Sequence, residues 1–190
     1  MTDTNLSNLA KIYFEIVDKR FGPFDRPLQF RPFPFEVGGA LNFLTIGAGK
    51  GPMVTYVTWD LIGQRDQRRG KLGRYELLTM CDNEEWVLDI ITNIGRQTLS
   101  EVFDSGDTMD ISPWSNKYSS ELTGILFEEA FVTEISVGLM RQKCSLLRCI
   151  GITNKELEFA RTHTSRTLID RLKSSNVYPK TIFGRSSIDL

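Results

Sequence analysis

"GRYELLTM", residues 73–80, is followed almost at once by "EEWVLDIITNIGR", residues 84–96, and together the two pieces decide the fold. The first is a short run of β-formers with apolar side chains on both faces, and Glu76 shares a face with Leu78 and Met80. The second carries Val87, Ile90, Ile91 and Ile94 at helical spacing. The same stripe extended to Val102 predicts a long helix from about Asn83 to Phe103. Asp82 and Glu85 have the spacing of a capping box at its start. Gly95 inside it costs about 1 kcal/mol against alanine, which points to close packing of the helix on a strand.

Working outward, Leu6, Leu9, Tyr13, Ile16 and Val17 recur at helical spacing and predict an amphipathic helix over 5–20. "FGPFDRPLQFRPFPF" (21–35) is too rich in proline for a helix; Phe30, Phe33 and Phe35 are expected to pin an extended segment to the core. Residues 40–47 and 53–59 flank the turn signal "GAGKGP" and suggest a hairpin. A polar loop, "GQRDQRRGKLG", leads into the central strand. Beyond the long helix, "SGDTMDISPWSNKYSS" reads as a turn, a short strand and a loop, followed by three strands at 121–128, 131–137 and 143–150. In the middle one, Phe131, Thr133, Ile135 and Val137 alternate with Val132, Glu134 and Ser136, so one face is solvated. Helices at 154–162 and about 164–173 close the pattern. "GITNKELEFAR" (151–161) starts the first of them with a capping box of Thr153 and Glu156 and a staple of Ile152 and Leu157. The expected architecture is one α+β domain, a mixed sheet flanked by a long central helix and by N- and C-terminal helices.

The 190 residues are 41% hydrophobic and 25% charged, an ordinary globular composition for a chain long enough to bury its own core. The N-terminus carries no uninterrupted apolar stretch, and no segment approaches the roughly 20 apolar residues of a membrane span. The expectation is a cytoplasmic protein with no membrane partner. Cys81, Cys144 and Cys149 have no C-x-x-C spacing and are expected to be reduced thiols that fill the core. No metal and no cofactor is expected. The one histidine, His163, stands at a helix junction, and no G-x-S-x-G, H-E-x-x-H or Walker pattern is present. "GAGKG" (47–51) could cradle an anion with its backbone N–H groups, but it lacks the phosphate-loop spacing and leads into a strand. Glu76 admits two readings, an acid of raised pKa or a structural hydrogen-bonding group. Glu128 and Glu129 face opposite ways in a regular strand and can act together only across a bulge.

Charge is distributed unevenly. Residues 82–134 hold twelve acidic and two basic side chains, a net of −10, whereas 135–190 hold ten basic and four acidic, a net of +6. Three readings are open: internal neutralisation across the fold, a surface that docks a basic protein, or nucleic-acid binding by the arginines of 65–74. The arginine loop has no interleaved aromatic residues to stack on bases, so nucleic acid is not expected. Glu85 and Asp89 fall on the polar face of the long helix with Arg96 and Ser100. Trp114 and Tyr118 follow the "GDTMDI" turn and are placed to supply aromatic anchors beside that charge, or, for Trp114, to fold back on the core.

The order of "GRYELLTM", "EEWVLDIITNIGR", "FDSGDTMDI", "LTGILFEE" and "LLRCIGITNKELEFAR" resembles the suppressor-of-fused-like (SUFU) domain, from about Thr55 to the C-terminal "RSSI". Residues 1–50 add little to the resemblance, and "TWDL" (58–61) departs from it. The resemblance implies a binding module without a catalytic centre. Animal members are inhibitors that hold a transcription factor in the cytoplasm, and short bacterial members are immunity proteins of toxin systems. It transfers no binding residue to this sequence. The expected function is therefore non-enzymatic protein binding that neutralises a partner, in the manner of an antitoxin and with a basic toxin as the fitting partner. Glu85, Asp89, Trp114 and Tyr118 are the candidate contacts. The alternative is a hydrolase or other enzyme using Glu76 or the carboxylates of 82–89, Glu85 and Asp89 among them.

Overall fold

A computed structural model describes residues 3–25, 27–32 and 40–190 of the chain. Phe33 and Phe35, and the side chain of Phe30, lie outside the described part. Among the described residues, seven strands form one mixed sheet in the order β1-β2-β3-β4-β7-β6-β5. They are β1 (Pro27–Pro32), β2 (Ala40–Ile46), β3 (Val54–Thr58), β4 (Arg74–Cys81), β5 (Thr108–Asp110), β6 (Leu122–Val137) and β7 (Met140–Thr153). The helices are α1 (Asp3–Phe21), α2 (Glu84–Gln97), α3 (Ser112–Ser115), α4 (Asn154–Thr162) and α5 (Ser165–Ser174). The fold is α+β, as the sequence predicts.

β4 sits in the middle of the sheet, antiparallel to β3 and parallel to β7. That position explains why its side chains are buried on both faces. Tyr75, Leu77 and Cys81 join α2 in a core with Trp86, Val87, Ile90, Ile91 and Ile94. On the other face, Leu78 joins Leu44, Val57, Cys144 and Leu146 beneath Leu9, Tyr13 and Val17 of α1. Leu126, Ile150 and Ile152 continue this second face under α4 and α5. α2 with α3 thus covers one face of the sheet, and α1 with α4–α5 covers the other. The three thiols are free and buried within these cores. The expected hairpin is present, with Phe43–Ile46 of β2 paired to Thr55–Thr58 of β3.

Three expectations are corrected. The strands expected at 121–128 and 131–137 are one strand, β6, paired with β7 through a bulge between Glu129 and Phe131. Glu129 faces Leu147 and Phe131 faces Leu146, so Ala130 is the extra residue. The bulge reverses the inward parity, from Leu126 to Ile135 and Val137, and in the sequence that phase shift imitates a chain break. Helix α2 is shorter than expected. Thr98 caps it, with its hydroxyl donating to the Gly95 carbonyl at 2.7 Å, and tight turns follow. Val102 is consequently exposed, while Phe103 stacks on Phe127 at 4.8 Å. The N-cap of α2 is Asn83, whose side chain accepts the Trp86 N–H at 2.9 Å; Asp82 instead accepts the Phe183 N–H of the C-terminal tail at 2.8 Å.

The second capping box forms as the sequence predicts, and Ile152 and Leu157 are buried in one cluster beside it. Its glutamate does more than cap. Glu156 is buried and forms a two-pronged pair with Arg185, at 2.5 and 2.6 Å, while it accepts the N–H groups of Thr153 and Ile188 at 3.0 Å each. Burial works to raise its pKa, but the Arg185 guanidinium and the N–H donors outweigh that and hold it below the ordinary carboxylate value. The C-terminal tail is thereby strapped to the start of α4.

Candidate functional site

The first turn of α2 presents Glu84 and Glu85 to solvent, where the positive end of the helix dipole favours carboxylates. One turn further on, Asp89 is 21% exposed and is not a free charge. Its Oδ2 accepts the Tyr118 hydroxyl at 2.7 Å, and the Lys117 ammonium pairs with the same oxygen. Lys117 and Tyr118 thus relieve the like-charge repulsion between Glu85 and Asp89, four residues apart on α2.

Tyr118 is held from three sides. Its hydroxyl also lies 3.3 Å from the Glu85 carbonyl, its ring meets Phe183 edge-on at 6.1 Å, and Lys117 sits over the ring face. The short helix α3 packs on α2, and Asp110 starts it by accepting the Ser112 N–H at 2.8 Å. Trp114 on α3 is half-buried against the core that α2 also builds. Glu85, Asp89 and Tyr118 therefore meet at one surface, and Trp114 packs on the core from α3, which lies against α2.

Elsewhere the charge asymmetry is partly internal. Glu128 of the acidic stretch pairs with Arg148 of the basic one at 2.6 Å, and the Tyr178 hydroxyl donates to the same carboxylate at 2.7 Å. Glu84, Glu85, Glu101, Glu121, Glu129 and Glu134 are exposed.

Glu76 lies on the opposite face of the sheet from α2, so the structure does not bring it together with Glu85 and Asp89. It is completely buried, accepting the Thr58 hydroxyl at 2.6 Å and the Ile62 N–H at 2.8 Å. Burial pushes its pKa well above the ordinary value, against the pull of these hydrogen bonds. The carboxyl ties β3, the turn after it and β4 together. In the "GAGKG" turn, the Ala48 N–H already donates to Asp25 at 2.8 Å, which leaves a poorer cradle for an anion. His163 is exposed at the end of α4 and stacks on Phe159 at 4.1 Å. Among the described residues, no group of three or more His, Cys, Asp or Glu could hold a metal ion, and no helix is long and apolar enough to cross a membrane.

One feature escaped the sequence reading. A groove of about 840 Å³ runs between α1 and the turn that follows β3, with Trp59 exposed in it and stacked on Phe14 at 4.6 Å. Phe14 is next to Tyr13 of the predicted stripe of α1 but is not on it, and nothing local signals that Trp59 faces it across forty-five residues of chain.

The family model described as Suppressor of fused protein (SUFU) matches residues 39–185. The chain belongs to the SUFU family. Solved structures share the fold of this SUFU domain. A chain of the Sufu–Fu complex crystal structure aligns with a TM-score of 0.59 at 12% identity, covering 96% of this chain and 91% of that one. The crystal structure of Drosophila Suppressor of Fused aligns with a TM-score of 0.54 at 15% identity, covering 84% of this chain and 42% of that one. This SUFU chain therefore spans less than half of the Drosophila protein. No curated protein sequence matches it. The "TWDL" departure is where this SUFU domain places the exposed Trp59, between Thr58, bonded to Glu76, and Asp60, which accepts the Asn42 amide at 2.6 Å.

Proposed function

We propose that this SUFU domain is a non-enzymatic cytoplasmic module that neutralises a basic protein partner, as an immunity protein does, and that it docks through the α2–α3 surface. The observation that carries the reading is the packing of α3 and the segment after it on α2: Glu84 and Glu85 are exposed on α2, Trp114 is half-buried on α3, and the Tyr118 hydroxyl is bonded to Asp89. Carboxylates at the rim speed encounter with a basic partner, and packed aromatic rings slow its departure. The likeness in fold to a chain of a protein complex, Sufu–Fu, supports binding as the mode of action. Against the alternative of an enzyme, Glu76 is completely buried and bonded to Thr58 and Ile62, and Asp89 is tied to Lys117 and Tyr118.

The test is co-expression with the product of the neighbouring reading frame. A growth defect caused by that product and relieved by this chain supports the proposal. Relief that persists undiminished when Trp114→Ala and Glu85→Lys are combined refutes the assignment of the surface.

A further inference from the structure

The groove between α1 and the turn after β3 lies on the opposite face of the sheet from α2 and α3. Its chemistry is specific. Trp59 is 40% exposed, although one face of its indole is covered by the buried ring of Phe14. The backbone beneath the ring is anchored: the Trp59 backbone N–H donates to the Asn42 carbonyl at 2.9 Å, Thr58 before it is bonded to Glu76, and Asp60 after it is bonded to Asn42. Glu15 and Asp18, one turn apart on α1, are exposed along the rim, and Asp60 lies deeper, with Lys11 the single cation among the described lining residues. The turn packs closely on the helix at Gly63, where a Cβ would lie in ordinary contact, 3.6 Å from that of Ala10. Lys117, Arg148 and Lys173 sit over Tyr118 and Tyr178, whereas no cation of the described residues sits over Trp59.

We propose that this groove is a second recognition site, which takes an arginine side chain from a basic segment of a protein over the open face of Trp59. A purely apolar occupant would strip water from three carboxylates without replacing it. A guanidinium satisfies both parts of the lining, because its plane stacks on indole while its forked N–H groups reach carboxylates two at a time. Lysine, a compact and strongly hydrated charge, fits the rim but covers less of the ring. The site is independent of the α2–α3 surface, and either can fail without the other.

The experiment titrates the full chain with a hexa-arginine peptide at low salt, reading tryptophan fluorescence and the indole N–H signal of Trp59, with hexa-lysine and hexa-glutamate as comparisons. Trp86 is fully buried and out of a peptide's reach, and the Trp59 indole N–H signal separates the groove from the half-buried Trp114. Hexa-arginine should bind more tightly than hexa-lysine and far more tightly than hexa-glutamate. Trp59→Ala should weaken it about tenfold, the scale of a partly desolvated cation–π contact. Should Trp59→Ala fail to fold, Glu15→Lys with Asp18→Lys, both at exposed helix positions, should lower affinity and flatten its salt dependence. Glu101→Lys with Glu129→Lys, the same change of charge at exposed positions outside the groove and outside the α2–α3 surface, should leave the Trp59 response unchanged. Equal affinity for hexa-arginine and hexa-glutamate, retention of affinity in the Glu15/Asp18 variant, or loss of the Trp59 response in the Glu101/Glu129 variant instead would overturn the proposal.

Discussion

Replacing Arg185 with methionine should destabilise the protein by about 3 kcal/mol, a cost set by what happens to Glu156. Arg185 is almost fully buried, its partner is completely buried, and two charge-assisted bonds of 2.5 and 2.6 Å join them. Removing one member of such a pair leaves an uncompensated charge, which costs about 3–5 kcal/mol. The N–H groups of Thr153 and Ile188 still bond the carboxylate at 3.0 Å each, which places the cost at the low end. For a chain of this size, about 3 kcal/mol corresponds to a fall in Tm of about 8 °C. Adding Glu156→Gln to Arg185→Met removes the stranded charge and should recover part of the loss, so the double-mutant cycle should give a coupling above about 1.5 kcal/mol. The pH dependence follows from the direction of the shift. The Glu156 carboxyl is held below its unfolded value of about 4.3, so its stabilisation is fully present above that pH and is lost as pH falls through the folded value. Arg185→Met should lose most of that acid-sensitive increment. Urea titrations at neutral pH and at successively lower pH read both effects. A cost below about 1 kcal/mol, or an acid limb unchanged by the substitution, would refute the reasoning.

Thr153→Ala should cost about 1–2 kcal/mol in the same titration, because its hydroxyl caps the Glu156 N–H and lies 2.8 Å from the Ser187 hydroxyl. Gly73→Ala should cost at least about 2 kcal/mol, since φ is +80° there and a Cβ would collide with the Lys143 carbonyl. Cys81 and Cys144 are pushed up to about 12 by burial, and Cys149 is raised by burial as well. None of the three should therefore react with a thiol reagent at neutral pH until denaturant is added, and a fast reaction in the folded protein would contradict the described core.

The elements that the sequence revealed are those whose signals are local and repeat. The stripe of α1, the hairpin of β2 and β3, the two-faced β4 and the Thr153–Glu156 box each lie within a few turns of chain. What was misread depended on partners far away. The bulge at Ala130 shifts an alternation that only β7 fixes, and Asn83 displaced Asp82 as the cap because Asp82 is claimed by Phe183, 101 residues later. The same holds for the sites. Helical periodicity put Glu85 and Asp89 on one face, but it could not foresee that Lys117 and Tyr118 return to neutralise Asp89. Arg185 as the partner of Glu156, and Trp59 against Phe14, were invisible for that reason.

Because Asp89 is tied to Lys117 and Tyr118, reversing it would disturb packing as well as charge. The cleaner perturbation of the proposed surface is Glu84→Lys with Glu85→Lys, both exposed in the first turn of α2. The direct measurement is the association rate of this variant and of the unaltered chain with the neighbouring gene's product, by stopped flow at low and at physiological salt. The account predicts a roughly tenfold slower on-rate for the variant at low salt, a gap that closes as salt rises, with little change in the off-rate. Equal on-rates at low salt would contradict the claim that the α2–α3 surface receives the partner.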